Sequence, residues 1–206
     1  MSELVLYSNP RSRGRIARWM LEELGQPYSV HYLDYGTTMK SPDYLAINPM
    51  GKVPALVHAQ AVVTETAAIC AYLALTFPEA GLGPQNDVER ALFLRWMFFA
   101  AGPLEAAVTA RSLKCEPPKD KAGTVGYGTY EDALQTLEVA LSAGPYIIGD
   151  RFTAADVYVG AHVAWGLQWA TIETRPAFEA YRDRVVARPA YIRATELDNA
   201  ALVPKA

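Results

Sequence analysis

The apolar pattern of this 206-residue chain changes near residue 78, and that change constrains the fold more than any other feature. Before it, short strand-like runs alternate with helical spacings, which predicts the order β-α-β-α-β-β-α. A helical pattern ending at Gly25 separates the runs at 4–7 and 28–33, so we expect two parallel strands joined by a right-handed crossover. The run over 55–63 predicts a hairpin.

Beyond residue 78 only helical spacings appear, after a Pro- and Gly-rich linker over 78–84. One apolar set shares a face of the first of these helices: Leu94, Phe98, Ala101, Leu104 and Val108. Thr153 followed three residues later by Asp156 is a capping box, which predicts the start of another helix. The sequence therefore predicts a small α/β domain over 1–78 and an all-helical domain over 85–206.

Composition excludes several function classes. Hydrophobic residues make up 51% of the chain and charged residues 20%, as in ordinary globular domains. The net charge of −3 does not favour nucleic-acid binding. The two cysteines, Cys70 and Cys115, and the three scattered histidines give neither a disulfide framework nor a metal site. We expect Cys70 to be a buried apolar residue and Cys115 to be partly exposed.

No membrane segment or secretory signal is expected either. The most apolar stretch, 91–108, is interrupted by Arg95, Pro103 and Glu105, which makes it too short and too charged to span a bilayer. The first residues, Met-Ser-Glu-Leu, contain no basic region followed by an apolar one. The sequence therefore predicts a soluble cytoplasmic protein that does not bind membranes.

Three segments resemble the cytosolic glutathione S-transferase family, in particular its bacterial, serine-using members. They are Leu6–Arg15, which leads from the first strand into the first helix, the Asn-Pro-Met-Gly-Lys-Val-Pro run from Asn48, and the helix start Thr64–Ile69. The box at Thr153 is similar to a structural motif of the family's helical domain. The resemblance implies a thioredoxin-like domain followed by an all-α domain, a homodimer, and detoxification by adding glutathione, the co-substrate, to an electrophilic small molecule.

Glutathione is an anionic tripeptide, and the resemblance assigns each of its groups a partner. The Val53–Pro54 bond is cis in the family, so that Val53 offers its N–H and C=O to the cysteinyl amides. Thr66, at a helix N-terminus, holds the γ-glutamyl carboxylate, and Glu65 holds the ammonium. Lys52 is a partner for the glycine carboxylate. Without the resemblance, Pro54 could equally start a strand, Glu65 and Thr66 could only cap a helix, and Lys52 could be solvated.

Ser12 lies where the serine-using classes keep the hydroxyl that stabilises the thiolate. Tyr7 is the main rival, because the tyrosine-using classes keep their hydroxyl on this strand, and Ser8 and Asn9 lie in the same turn. Ser12 could also be an ordinary helix cap. Arg13 stands where one bacterial class carries a cysteine, which argues against cysteine-led chemistry, and its cation would favour a thiolate.

Two other functions share this resemblance. A non-catalytic glutathione-binding or interaction protein could keep the fold, although such proteins usually lose the turn hydroxyl or the Glu-Ser/Thr pair. A glutathione-dependent isomerase of the serine-using type is the third hypothesis, but the Ser-Ser-Cys-like run of that class is replaced by Arg11-Ser12-Arg13.

Overall fold

The computed structural model describes residues 3–202 and divides into two compact units. The first unit contains the chain up to Leu82 together with the segment from Ala187 onward, and the second runs from Gly83 to Val186. Each unit has its own set of buried apolar side chains.

The first unit is a four-stranded sheet with helices on the connections. Its elements are β1 Leu4–Ser8, α1 Gly14–Leu24, β2 Tyr28–Tyr32, α2 Pro42–Ile47, β3 Ala55–His58, β4 Ala61–Thr64, α3 Thr66–Thr76 and, from the end of the chain, α9 Pro189–Ala200. The strand order is β2-β1-β3-β4. The pair β1 and β2 is parallel, while β3 is antiparallel to both β1 and β4. The predicted order of elements, parallel pair and hairpin are confirmed, and the arrangement is thioredoxin-like.

Local sequence explains the first helix well. Its buried residues recur at helical spacing, as predicted: Ile16, Ala17, Met20, Leu21 and Leu24. Gly25 ends it in the left-handed conformation with φ 70°, where a residue without Cβ costs least. Cys70 is buried in α3, as predicted, and Cys115, which was expected to be partly exposed, is exposed.

The second unit is helical, with α4 Asp87–Phe99, α5 Glu105–Ser112, α6 Tyr130–Ser142, α7 Ala154–Gln168 and α8 Pro176–Val186. A π-helical turn, Ala100–Leu104, joins α4 to α5 and accommodates Pro103, which has no N–H to donate. The capping box at the start of α7 is present: the Asp156 carboxylate accepts the backbone N–H of Thr153, and Thr153 caps the helix in return. Asp156 also accepts from the Ile147 N–H and the Tyr181 hydroxyl.

Helix α9 is the main departure from the sequence-based division of the chain. It packs against α1, so its residues belong to the first compact unit rather than to the helical one. The sequence-based domain boundaries, 1–78 and 85–206, remain a prediction, because a compact unit need not coincide with a domain. Ionic and aromatic contacts between α1 and α9 account for the packing. The apolar periodicity of neither segment predicts these contacts.

The continuous helical stretch Asp87–Ser112 is long and apolar enough, by those two criteria alone, to cross a membrane. The window 91–108, which Arg95, Pro103 and Glu105 interrupt, lies within this stretch. The core helix of a soluble protein meets the same two criteria, so the stretch does not identify a membrane span.

Candidate functional site

Three candidate segments meet at one end of the sheet. In the register, Tyr7 of β1 pairs with Ala55 of β3, and Ala55 pairs with Thr64 of β4. The end of β1, the start of β3 and the end of β4 therefore lie side by side, across roughly 10 Å at the usual strand spacing. The segments that follow or precede these points are the turn 9–12, the loop 52–54 and the helix start 65–66. The sheet thus brings the predicted binding segments to the same end of its strands.

Ser12 lies in the turn that leads into α1. Its hydroxyl donates to the Asn9 carbonyl at 2.7 Å and accepts the Gly14 N–H at 2.9 Å. The Ser12 N–H donates to the same Asn9 carbonyl at 3.0 Å. Ser12 is therefore partly buried and already oriented, and the Asn9 carbonyl has a second donor that does not depend on the hydroxyl.

Asn9 holds this turn against the neighbouring strand. Its side-chain amide donates to the Leu33 carbonyl at 2.7 Å and its side-chain oxygen accepts the Arg11 N–H at 2.9 Å. Arg13, the residue before α1, is exposed. Asn9 has both ends of its amide engaged, which makes it a support of the turn in this structure.

Tyr7 lies on the other side of β1 from the buried Leu6, as alternation along a strand requires. Its ring stacks on His31 at 5.2 Å between centroids and lies 5.6 Å from the Tyr44 ring. The ring also packs on the buried cluster of Met39, Tyr44 and Ala55. The aromatic ring of Tyr7 thus fixes α2 against the sheet.

The loop before β3 is held by two side chains of the α2 segment. The Val53–Pro54 bond is cis. The Lys52 carbonyl accepts the Tyr44 hydroxyl at 2.6 Å and the Asn48 amide at 2.7 Å. Asn48 also accepts the Met50 N–H. Two donors on one carbonyl fix the peptide plane between Lys52 and Val53, while the Lys52 side chain is exposed.

Glu65 and Thr66 open α3. Thr66 is buried and is the first residue of the helix, where the early N–H groups have no intrahelical acceptor. Glu65 is exposed and has φ 67° and ψ 120°, an unfavourable backbone conformation for a residue with a Cβ. Such strain persists only where the surrounding structure imposes it, and it is common at ligand sites.

Sequence reasoning missed Tyr44. Burial raises the pKa of its hydroxyl to about 12, so this group can still donate to the Lys52 carbonyl near pH 10, where an ordinary tyrosine is half ionised. The only available signal was its place four residues before Asn48, on the same face of a short helix. Burial likewise raises the pKa of the Cys70 thiol, which leaves it unreactive. Among residues 3–202, no three His, Cys, Asp or Glu side chains could hold a metal ion together.

Comparison with known proteins decides the family. The profile described as "Glutathione S-transferase, N-terminal domain" matches residues 12–76, and the C-terminal domain of the same family matches residues 105–184. A glutathione S-transferase of Xanthomonas campestris is 31% identical over 191 residues, which cover 88% of this chain and 92% of the relative. The chain belongs to the glutathione S-transferase family.

Two further similarities bear on function. A glutathione transferase homolog from Sulfitobacter, crystallised with bound glutathione, is 27% identical with a TM-score of 0.76, over 98% of this chain and 100% of that one. A probable elongation factor 1-gamma of Arabidopsis thaliana is 27% identical over 77% of this chain, but over only 40% of its own length. Proteins similar to this chain therefore include a transferase homolog crystallised with glutathione and a probable elongation factor 1-gamma.

Proposed function

We propose that this protein is a cytoplasmic transferase that binds glutathione at the end of its sheet and adds the sulfur to an electrophilic small molecule. The observation that carries the proposal is the convergence of the turn 9–12, the loop 52–54 and the helix start 65–66. In this proposal Val53 pairs with the cysteinyl amides beside Pro54, Thr66 and Glu65 hold the γ-glutamyl end, and Lys52 neutralises the glycine carboxylate.

Ser12 is the proposed catalytic residue. A free thiol has a pKa of about 8.5, and lowering it by about two units requires about 2.7 kcal/mol of preferential thiolate stabilisation. One hydrogen bond to a charged group contributes about 1.5–3 kcal/mol. The Ser12 hydroxyl can turn from the Asn9 carbonyl to the sulfur without leaving that carbonyl unsatisfied, because the Ser12 N–H still donates to it. The Gly14 N–H continues to donate to the Ser12 oxygen and polarises its hydroxyl.

The proposed reaction follows from this thiolate. The sulfur attacks the electrophilic carbon, a carbon–sulfur bond forms, and the leaving group departs with its electron pair. The enzyme then needs only to bind, orient and stabilise the thiolate. The cation of Arg13, one residue from Ser12, would further favour the anionic form.

A homodimer is part of the proposal. An apolar stripe is exposed to solvent along α4 and continues into the π-helical turn that follows it: Ala91, Leu94, Phe98 and Ala101. Phe98 is 73% exposed, and large apolar side chains aligned along one helix face mark interaction surfaces. A second copy of this chain is the proposed occupant.

Conjugation of glutathione to a halonitroaromatic electrophile tests the proposal. We expect Ser12→Ala to lower kcat/KM by roughly 10²-fold, the cost of one lost charge-stabilising donor. The variant should still bind glutathione, because the other contacts lie in different segments. Full activity in Ser12→Ala with loss in Tyr7→Phe would transfer the role to Tyr7. An unchanged melting temperature of the wild type in millimolar glutathione would instead favour a non-catalytic interaction protein, since a ligand above its Kd stabilises the native state.

A further inference from the structure

The Arg15 side chain connects the last helix of the chain to the turn that carries Ser12. Its Nη1 donates to the Pro10 carbonyl at 3.1 Å, and its Nη2 donates to the Asn199 side-chain oxygen at 3.0 Å. A guanidinium is planar and rigid, so two hydrogen bonds from its two terminal nitrogens fix the relative positions of both acceptors. The Pro10 carbonyl is thereby tied to α9.

Arg15 also holds the other side of the same turn. Its backbone N–H donates to the Ser12 carbonyl at 3.2 Å. One residue therefore contacts the turn on both sides of Arg11, through its side chain at Pro10 and through its backbone at Ser12. Asn9 links the turn to Leu33, and Arg15 links it to α1 and α9.

Helix α9 is a firm support for Asn199. Asp198, its chain neighbour, forms a buried ion pair with Arg18. At the other end of the helix, Glu23 receives two hydrogen bonds from Arg188, at 2.6 and 2.7 Å. Bidentate carboxylate contacts of this kind fix orientation as well as distance. The position of Asn199 is thus set by packing that does not itself involve the turn.

We infer that Arg15 and Asn199 are positioning residues for the transferase reaction, through which α9 holds the turn that presents the Ser12 hydroxyl. The inference rests on the proposed function for its kinetic consequence, but the mechanical link can be measured without any ligand. Neither residue touches glutathione in this proposal. Their role is to keep the Ser12 oxygen within hydrogen-bond distance of the sulfur.

Hydrogen exchange of the ligand-free protein tests the link. In Asn199→Ala we expect faster exchange of the Ser12, Gly14 and Arg15 amides than in the wild type. The amides of the hairpin 55–64 should exchange at the wild-type rate, because the Arg15 side chain bridges Asn199 to the Pro10 carbonyl and not to that hairpin. Glu196→Ala, an exposed change on the same helix, is the matched control and should leave both regions unchanged. Unchanged exchange of the turn amides in Asn199→Ala would overturn the inference.

Kinetics test the consequence. Asn199→Ala should lower kcat by roughly 10–10²-fold, as small displacements of a catalytic group do, and leave the KM for glutathione unchanged. Asn199→Asp keeps the acceptor and should restore kcat.

In an Arg15→Lys background, Asn199→Ala should have no additional effect, because the bridge is already broken. Wild-type kcat in Asn199→Ala, or additive losses in the double variant, would overturn the inference. A wild type that binds glutathione but conjugates nothing would count against the proposed function, and the exchange result would still decide the link.

Discussion

Arg18 Nε lies 2.9 Å from the Asp198 carboxylate, and both side chains are almost completely buried, at 5% and 0% exposure. The contact is an ion pair, and no hydrogen bond among residues 3–202 joins Arg18 Nε to this carboxylate. Arg18 also donates to the Tyr32 hydroxyl. A buried pair of opposite charges therefore joins α1 to α9, in the same first unit as the candidate site.

Breaking this pair should be costly, while replacing it should not be. We expect Asp198→Ala to lower the free energy of unfolding by about 3–5 kcal/mol, because it leaves the Arg18 cation buried without a counter-charge. The double replacement Arg18→Met with Asp198→Leu should be close to wild type, since neither charge then needs solvation. Urea unfolding measures both. Glu116→Ala, which removes the solvent-exposed pair with Arg111, is the control and should change stability by less than about 1 kcal/mol.

Tyr44 gives a prediction about glutathione binding. Tyr44→Phe removes one of the two donors to the Lys52 carbonyl, and we expect glutathione affinity to fall by about 0.5–1.5 kcal/mol, the net value of one hydrogen bond. Asn48→Ala should cost more, because it removes the other donor and leaves the Met50 N–H without its acceptor. Titration calorimetry measures both. Equal affinities in wild type and Tyr44→Phe would show that Asn48 alone sets the peptide orientation.

The α/β unit was predictable because its signals are local. Strand alternation, the Gly25 helix stop and the short link between β3 and β4 are all determined by near neighbours in the chain. The three candidate segments could be assigned from their motifs, and sheet register then places them together. Tyr44 was not predictable as a support of the site, because its hydroxyl reaches a carbonyl eight residues away through a loop whose path is set by Gly51, at φ 57°.

The helical unit and α9 were less predictable. Helical spacing places Leu94, Phe98 and Leu104 on one apolar face, but of these three only Leu104 is buried. The buried residues of α4 are Phe93, Trp96 and Met97. Periodicity identifies an apolar face without saying whether the same chain covers it. Helix α9 has few buried apolar residues, and its packing depends on charge pairs with residues such as Arg18 that are distant in sequence.

Glu65 predicts opposite effects on stability and binding. Glu65→Gly removes the Cβ from a residue whose φ is positive. Because the strain at this position is then relieved, we expect the free energy of unfolding to rise by about 1 kcal/mol. Glutathione affinity should fall by about 1.5–3 kcal/mol, since the ammonium loses its carboxylate partner. Glu65→Ala is the matched control: it loses the same carboxylate but keeps the strain, so it should bind weakly without becoming more stable. Chemical unfolding and calorimetry separate the two effects, and a Glu65→Gly variant that binds as well as wild type would remove Glu65 from the site.

Phe98 tests the proposed dimer. Phe98→Asp introduces a charge into the exposed apolar stripe of α4, and burying an unpaired carboxylate between two copies is unfavourable by several kcal/mol. Light scattering after gel filtration should show a dimer for the wild type and a monomer for Phe98→Asp. Val88→Asp is the control, because Val88 is equally exposed on the same helix but lies about 80° around it from Phe98. A wild type that is monomeric at micromolar concentration would reject the dimer.

Asp156 predicts how stability depends on pH. Burial raises the pKa of this carboxyl to about 6, although donors from Ile147, Thr153 and Tyr181 oppose the shift. The native state then binds the proton more tightly than the unfolded chain, whose Asp has a pKa of about 3.9. The stabilising contribution of Asp156 is complete below about pH 4 and declines as the pH rises toward about 6, by about 3 kcal/mol in total.

Because other groups titrate in the same range, the measurement is the difference in unfolding free energy between wild type and Asp156→Asn, followed from pH 4 to pH 7. We expect the advantage of the wild type to shrink over that interval. An advantage that grows with pH would show that the hydrogen bonds to the carboxylate outweigh its burial.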